Sequence, residues 1–333
     1  MQAKRIVLVR RPTGMAEAAD FSVEQVELPP LADGEVAIDT LYLSVDPYMR
    51  GRFGGEGGPH SALPLGSVVA GSVLGRVTAS RAPDWAAGDF VLAGTGWQTA
   101  AVVPGSAVRA VRTEGLPLTA ALSVLGSTGV TGYWGMVDIG RPAPGETVVV
   151  SAAAGAVGLV ASQVARIAGA RVVGVAGTDA KCAHLASEAG LHAAVNYRAA
   201  DFADQLAVLC PEGVDVYFDN VGGPVSQAVL RLMAPGARIV ICGQIAEYNG
   251  ERAPGEVSIP TLLLSRGASM QGFMVMRYAD RAAEARAQLA RWVADGQLAY
   301  HETVVEGFEA TVPAFQSLFT GANLGKLLVH VAD

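Results

Sequence analysis

From Thr147 to Cys242 the sequence alternates short apolar runs with segments of helical texture, and no other feature restricts the fold as strongly. Strands are expected at Thr147–Ser151, Arg171–Val175, Ala194–Tyr197, Val214–Asp219 and Arg238–Cys242. Helices are expected between them at Ala156–Ala168, Ala180–Ala189, Phe202–Leu209 and Val225–Met233. Strands that alternate with helices build βαβ units and hence a parallel sheet. Two further helical segments, Leu116–Leu125 and Val130–Ile139, precede the series. Upstream, residues 1 to about 115 read as β-rich: Arg5–Val9, Glu35–Leu43, Ser67–Thr78 and Asp89–Leu92 sit between Gly, Pro and Asp punctuation. Downstream come a helix at Arg281–Ala294 stopped by Gly296, a helix opened by Thr311 and Pro313 and closed by Gly321, and a last strand at Lys326–Val331. With 333 residues the chain exceeds the size at which one core keeps growing, so two domains are expected. The segment Gly51–Gly58 (GRFGGEGG) reads as a loop, either a spacer or a substrate-side flap.

Composition removes several classes of function. Hydrophobic residues make up 51% and charged residues 17%, which excludes a disordered charged chain. A net charge of −7 supplies no basic field for a nucleic-acid backbone. The run Ile6–Val9 is too short for a signal-peptide core, and no stretch suits a membrane helix; Thr147–Ala165 is apolar but broken by glycines. The three cysteines, Cys182, Cys210 and Cys242, form neither a disulfide framework nor a zinc spacing. A soluble, cytoplasmic protein is expected.

The chemistry is expected to centre on Ser151-Ala-Ala-Ala-Gly-Ala-Val-Gly158, which follows a buried strand and opens a helix. Ala153, Gly155 and Gly158 occupy the spacing of the dinucleotide fingerprint, with alanine in the first glycine position. Small residues are needed there because the turn is tight, the backbone must approach a pyrophosphate and the helix must pack close to the strand. The helix N-terminus adds unpaired N–H groups and partial positive charge. At the end of the second strand, where NAD sites place an acid for the ribose 2′-hydroxyl, the sequence reads Ala176-Gly177-Thr178, with Asp179 and Lys181 following. No carboxylate repels a 2′-phosphate and a lysine attracts one, so NADP(H) is expected, with Tyr197 adding a hydroxyl. Lys181 also has the plain reading of a solvated helix face.

The fourth and fifth strands end in Phe218-Asp219-Asn220-Val221-Gly222-Gly223 and Cys242-Gly243-Gln244-Ile245. Ligands of open α/β sheets bind outside the carboxyl ends of the strands, which turns Asn220 and the Cys242–Ile245 backbone toward the cofactor. Turn chemistry alone also accounts for Asp219-Asn220. Cys242 reads as a packing residue, since no histidine is placed to activate it. There is no His-Glu-x-x-His, no Cys-x-x-Cys, no Gly-x-Ser-x-Gly, and the five histidines are scattered. Hydride chemistry carried by the cofactor is what remains.

The runs SVDPYMRGRF (Ser44–Phe53), SAAAGAVG (Ser151–Gly158), FDNVGG (Phe218–Gly223), CGQIAEYN (Cys242–Asn249) and GANLGK (Gly321–Lys326) together resemble the zinc-independent medium-chain dehydrogenase/reductases. Within them the chain resembles the NADP-dependent alkenal double-bond and prostaglandin reductases, the leukotriene 12-hydroxydehydrogenase-like group. The resemblance implies an α/β fold: a GroES-like β-rich domain at residues 1–125, a Rossmann NADP-binding domain with a doubly wound parallel sheet at 126–297, and a return to the first domain at 298–333. It also implies that Gly155, Ala156, Val157 and Gly158 meet the pyrophosphate, while Gly177, Lys181 and Tyr197 surround the ribose phosphate. Asn220, Cys242 and Tyr248 would line the ribose and nicotinamide, with Gly243, Gln244 and Ile245 beside them. The Phe273-Met274-Val275 backbone would hold the carboxamide, Asn323 would close the site, and Tyr48 matches a substrate-contacting tyrosine. Relatives are commonly homodimers. Two departures stand out: Ser265 occupies the place of a second pocket tyrosine, and Ser44 stands near the first zinc-ligand position of the zinc alcohol dehydrogenases.

The expected reaction is metal-free hydride transfer from NADPH to the β-carbon of an α,β-unsaturated ketone or aldehyde. Tyr48 and a cofactor ribose hydroxyl are the candidate donors to the carbonyl oxygen, and water or a tyrosine protonates the α-carbon. Tyr48 can equally be a half-buried aromatic with a wet hydroxyl. The alternatives are a quinone reductase with the same cofactor site and a catalytically silent NADPH-binding protein.

Overall fold

The computed structural model describes residues 2–54, 61–250 and 257–332. The chain forms two compact units: Met1–Leu122 with Glu302–Asn323 and Leu327–Asp333, and Ser123–His301 with Leu324–Lys326.

The first unit opens with strands β1 (Gln2–Leu8), β2 (Phe21–Glu27) and β3 (Glu35–Ser44), a short helix α1 (Met49–Phe53), and strands β4 (Val73–Ser80), β5 (Phe90–Ala93), β6 (Ala100–Pro104) and β7 (Val108–Ala110). β1 and β2 pair antiparallel from Gln2↔Glu27 to Leu8↔Phe21. The central strand β3 pairs antiparallel with β4 and with β6. Its inward residues Val36, Ile38 and Leu43 are fully buried. An aromatic cluster fills the core beneath, with Phe21 on Phe53 (5.4 Å between centroids), Phe53 on Phe315 (5.4 Å) and Trp97 on Phe315 (5.7 Å). Of the loop expected at Gly51–Gly58, Gly51–Phe53 belong to α1, and residues 55–58 lie outside the described residues.

The second unit begins with α2 (Ser127–Trp134), which runs on as a π-helical stretch at Gly135–Gly140. Strand β8 (Thr147–Val150) leads into α3 (Ala156–Ile167), β9 (Arg171–Ala176) into α4 (Asp179–Ser187), and β10 (Ala193–Asn196) into α5 (Phe202–Leu209). β11 (Val214–Asp219) leads into α6 (Gly223–Leu230), and β12 (Met233–Ile241) is followed by α7 (Ile259–Arg266), β13 (Ser269–Gly272) and α8 (Ala282–Ala294). The chain returns to the first unit with β14 (Glu302–Glu306), α9 (Thr311–Thr320) and β15 (Lys326–His330). The sheet of the first unit then runs β14-β15-β3-β4-β5-β7, with β6 on β3.

The sheet of the second unit runs β10-β9-β8-β11-β12-β13 and its pairings are parallel. This is the Rossmann strand order, two βαβαβ halves meeting at a switch point between β8 and β11. Its inner strands are apolar throughout because both faces are covered: all four residues of β8 are buried, as are Val214, Val216, Tyr217 and Phe218 of β11.

Three sequence-predicted helices are corrected. Leu116–Leu125 is only a 3₁₀ turn at Leu118–Ala121, entered from Pro117 and followed by turns up to Gly126, so no long helix forms. The helix expected at Val130–Ile139 begins three residues earlier, at Ser127, and changes pitch at Gly135. The helix expected at Val225–Met233 stops at Leu230, because Met233 opposes Val214 in the sheet, where it is buried. β2, β6, β7, β13, β14 and α7 carried too little periodicity to be read from sequence.

Candidate cofactor and active site

Every cofactor residue predicted in the second unit follows the carboxyl end of one of its six strands. After β8 the chain turns through Ser151–Ala154, with Ala152 in the left-handed region (φ 47°), and enters α3. The turn is tied to β9 by the Ala153 N–H, which donates to the Val175 carbonyl at 3.0 Å. A Cβ on Gly158 would sit 2.2 Å from the Ala152 carbonyl oxygen, so the helix can approach the turn only with glycine there. Gly155 is the N-cap, and no side chain caps it. Gly155, Ala156 and Val157 are part-exposed. An uncapped helix start on a close turn is a cradle for an anion and fits the pyrophosphate of a dinucleotide.

At the ends of β9 and β10 the structure brings Gly177 against Tyr197. A Cβ on Gly177 would lie 3.0 Å from the Tyr197 ring and 3.3 Å from its hydroxyl. Thr178 caps α4, its Oγ1 accepting from the Lys181 N–H at 3.2 Å. Asp179 is turned to Asn196, whose Nδ2 donates to its carboxylate at 2.8 Å. The Arg198 guanidinium lies over the Tyr197 ring at 5.6 Å. Burial lowers the Lys181 pKa, and the Arg198 charge lowers it further. The positive charges of Lys181 and Arg198 thus act on each other at the ends of β9 and β10. Sequence reasoning did not single out Arg198, which stands directly after Tyr197 at a strand's carboxyl end.

The loops after β11 and β12 are laced together. Cys242 and Gly243 N–H groups donate to the Asp219 carbonyl at 2.8 and 3.1 Å, and the Ile245 N–H donates to the Asn220 carbonyl at 3.4 Å. The Asn220 Nδ2 donates to the Ser151 carbonyl at 2.7 Å, across the switch point. Gln244 is exposed, and its N–H donates to the Tyr248 hydroxyl at 3.4 Å. Burial raises the Tyr248 pKa, with smaller contributions from its surroundings. Burial and the Asp219 carboxylate push the Cys242 thiol up to about 12, so it stays protonated at neutral pH. Phe273, Met274 and Val275 follow β13, with Met274 half exposed. Gly135 of the π-helical stretch backs Phe273: a Cβ there would come 2.7 Å from its ring.

Tyr48 and Asn323 belong to the first unit. Tyr48 is 37% exposed and precedes α1. Burial of its phenol, with the Asp46 charge adding to it against Arg52, raises its pKa to about 12. The hydroxyl therefore keeps its proton throughout the physiological range. Asn323 is part-exposed in the turn after α9. Ser265 is exposed on α7, and its Oγ donates to the Leu262 carbonyl of its own helix at 3.3 Å. Ser44 donates its hydroxyl to the Asp46 carboxylate at 2.5 Å. Among the described residues no three His, Cys, Asp or Glu side chains are grouped as metal ligands.

Residues 4–111 match the family described as the N-terminal domain of oxidoreductase, and residues 156–294 match that described as zinc-binding dehydrogenase. A Bacillus subtilis protein named as an NADP-dependent oxidoreductase is 45% identical over 99% of this chain and 98% of its own length. The NADPH-dependent curcumin reductase of Escherichia coli is 38% identical over 99% of this chain and 97% of its own. Prostaglandin reductase 1 of Bos taurus is 40% identical over 99% of both chains. The crystal structure of CurA from Vibrio vulnificus in complex with NADPH superposes with a TM-score of 0.94 at 38% identity, covering 99% of each chain. The chain belongs to the zinc-independent medium-chain dehydrogenase/reductases. Within that family it falls in the alkenal and prostaglandin reductase group, and its cofactor is NADP(H). The strand ends of this reductase carry a helix start that no side chain caps and, after β9 and β10, the cationic side chains Lys181 and Arg198.

Proposed function

We propose that this reductase uses NADPH to saturate the carbon–carbon double bond of α,β-unsaturated ketones or aldehydes. The observation that carries the reading is the full-length similarity to reductases named for NADPH, curcumin and prostaglandin, joined to Tyr197 lying against Gly177 with Arg198 over its ring. When bound, NADPH supplies the hydride.

The protein's share is to bind, orient and stabilise charge. The Gly155–Gly158 backbone would hold the pyrophosphate; Gly177, Lys181 and Tyr197 would hold the ribose phosphate, and Arg198 would join them. Asn220, Cys242–Ile245 and Tyr248 would line the ribose and nicotinamide side, the Phe273–Val275 backbone would take the carboxamide, and we assign Asn323 as a further cofactor contact. As hydride reaches the β-carbon, negative charge develops on the substrate's carbonyl oxygen. Tyr48, whose phenol holds its proton up to about pH 12, is the donor we assign to that oxygen. The α-carbon then takes a proton. The exposed Ser265 hydroxyl, bonded to its own helix, does not replace a phenol as the source of that proton, which leaves Tyr48 or water.

A homodimer in the cytoplasm fits the same reading. β13 ends the sheet with no further partner strand among the described residues, and Leu264 and Met276 near it are 86% and 74% exposed. No helix among the described residues is long and apolar enough to cross a membrane. The reading gives residues 126–297 to the cofactor and 1–125 with 298–333 to the substrate side; the compact units divide at Leu122/Ser123 and His301/Glu302.

The test is the rate of NADPH oxidation with an alkenal, an enone and a benzoquinone. The reading expects kcat/KM to be highest on the alkenal or enone, with a saturated carbonyl compound as product. Higher kcat/KM on the quinone would favour quinone reduction, and tight NADPH binding without turnover would favour a silent binder.

A further inference from the structure

The Asp219 carboxylate lies at the switch point of the parallel sheet and is 3% exposed. Its Oδ1 accepts from the Tyr217 hydroxyl at 2.9 Å, from the Val221 and Gly222 N–H groups at 2.9 and 3.0 Å, and from the Ser151 hydroxyl at 3.1 Å. Its Oδ2 accepts from the Ser226 hydroxyl at 2.5 Å. All of these donors are neutral. A buried carboxylate without a cation is expensive, and apolar packing would serve a purely structural position at least as well. The residue's connections give it a different use. Through Ser151 it reaches the end of β8, on the far side of the switch point. Through Val221 and Gly222 it shapes the loop that carries Asn220, whose own N–H donates to the Ser151 hydroxyl at 2.9 Å. Its main-chain carbonyl holds the Cys242 and Gly243 N–H groups. One side chain and one carbonyl thus fix three strand ends on the floor of the crevice where open α/β sheets bind ligands.

We propose that Asp219 is a positioning residue for the cofactor: its buried carboxylate, with Ser151, locks the crevice floor and presents the Asn220 amide and the Cys242–Gly243 backbone in the arrangement that the nucleotide meets. The inference rests on the NADPH reading above. The negative charge also acts on the same floor, since it adds to burial in holding the Cys242 thiol protonated. That thiol is a reporter that needs no cofactor.

The experiment compares the full-length protein with Asp219→Asn and Ser151→Ala. It measures NADPH affinity by calorimetry, kcat and KM, thermal unfolding, and the pH dependence of Cys242 alkylation followed by peptide mass. Asp219→Asn replaces a charged acceptor with an amide that cannot satisfy the same set of donors. It is expected to weaken NADPH binding about tenfold or more and to move Cys242 alkylation to lower pH. Ser151→Ala keeps the charge but cuts the link across the switch point. It is expected to weaken binding about fivefold with Cys242 unchanged, and it decides the matter if Asp219→Asn does not fold. Binding of NADPH within twofold of the unaltered protein by a folded Asp219→Asn, or by Ser151→Ala, overturns the proposal. Failure of the unaltered protein to bind NADPH overturns the cofactor reading instead, and the Cys242 titration then still reads whether Asp219 controls the floor.

Discussion

Replacing Lys181 by alanine should separate the two nicotinamide cofactors. Lys181 is half-buried, and its ammonium is destabilised by burial and by Arg198. A ribose 2′-phosphate, with roughly 1.5 to 2 negative charges, relieves both costs at once. A hydrogen bond assisted by charge contributes about 1.5–3 kcal/mol. Partial exposure and the remaining Arg198 place this one near the lower end, about 1.5–2 kcal/mol, or roughly a 10- to 30-fold weaker Kd for NADPH. NADH lacks the phosphate, so its Kd should change less than about threefold. Titration calorimetry of both cofactors at low salt checks this, and the NADPH effect should shrink at high ionic strength. Equal weakening for NADH and NADPH, or no weakening for either, would refute the assignment of the phosphate to this pair of cations.

Further outcomes follow from other parts of the site. Arg198→Ala should weaken NADPH binding by a smaller factor than Lys181→Ala, since its guanidinium is exposed, and calorimetry again reads it. Gly158→Ala places a Cβ 2.2 Å from the Ala152 carbonyl; it should cost about 1–3 kcal/mol of stability and weaken NADPH binding, seen by thermal unfolding and calorimetry. Tyr48→Phe should lower kcat on enones by about 100-fold with NADPH affinity nearly unchanged, and activity of the unaltered protein should show no Tyr48 ionisation below about pH 11, because the phenol titrates near 12. Burial raises the pKa of all three thiols, to about 11 for Cys210 and about 12 for Cys242, so Ellman's reagent at pH 8 should react far more slowly with the native protein than with protein in urea. The same shifts have a sign for stability. The folded state keeps thiol protons that the unfolded chain loses above about pH 9, so stability falls as pH rises from about 9 toward 12.

The sequence carried the cofactor half of the molecule well because its signals are local. An apolar run buried on both faces, a small-residue turn and a helix start identify themselves, and β8, α3, β9, α5 and β11 lie within a residue of their expected bounds. Elements whose order comes from neighbours were harder to read. β13 is a four-residue strand of Ser, Met, Gln and Gly, and only its pairing with β12 makes it a strand. Met233 fitted a helical period equally well until the sheet claimed it. The same limit applies to the site. Gly177 and Lys181 were legible from the absence of an acid at the end of β9, whereas the bond from Ser151 to Asp219 joins residues 68 apart in sequence and appears only once β8 and β11 pair.

Hydride delivery to the β-carbon of an enone, rather than to its carbonyl carbon, is what sets the proposed reaction apart. It is tested most directly by turning over a conjugated enone with NADPH deuterated at the transferable position of the nicotinamide and locating the label by NMR. Deuterium on the β-carbon of a saturated ketone is the expected result. Deuterium on the carbinol carbon of an allylic alcohol would contradict it.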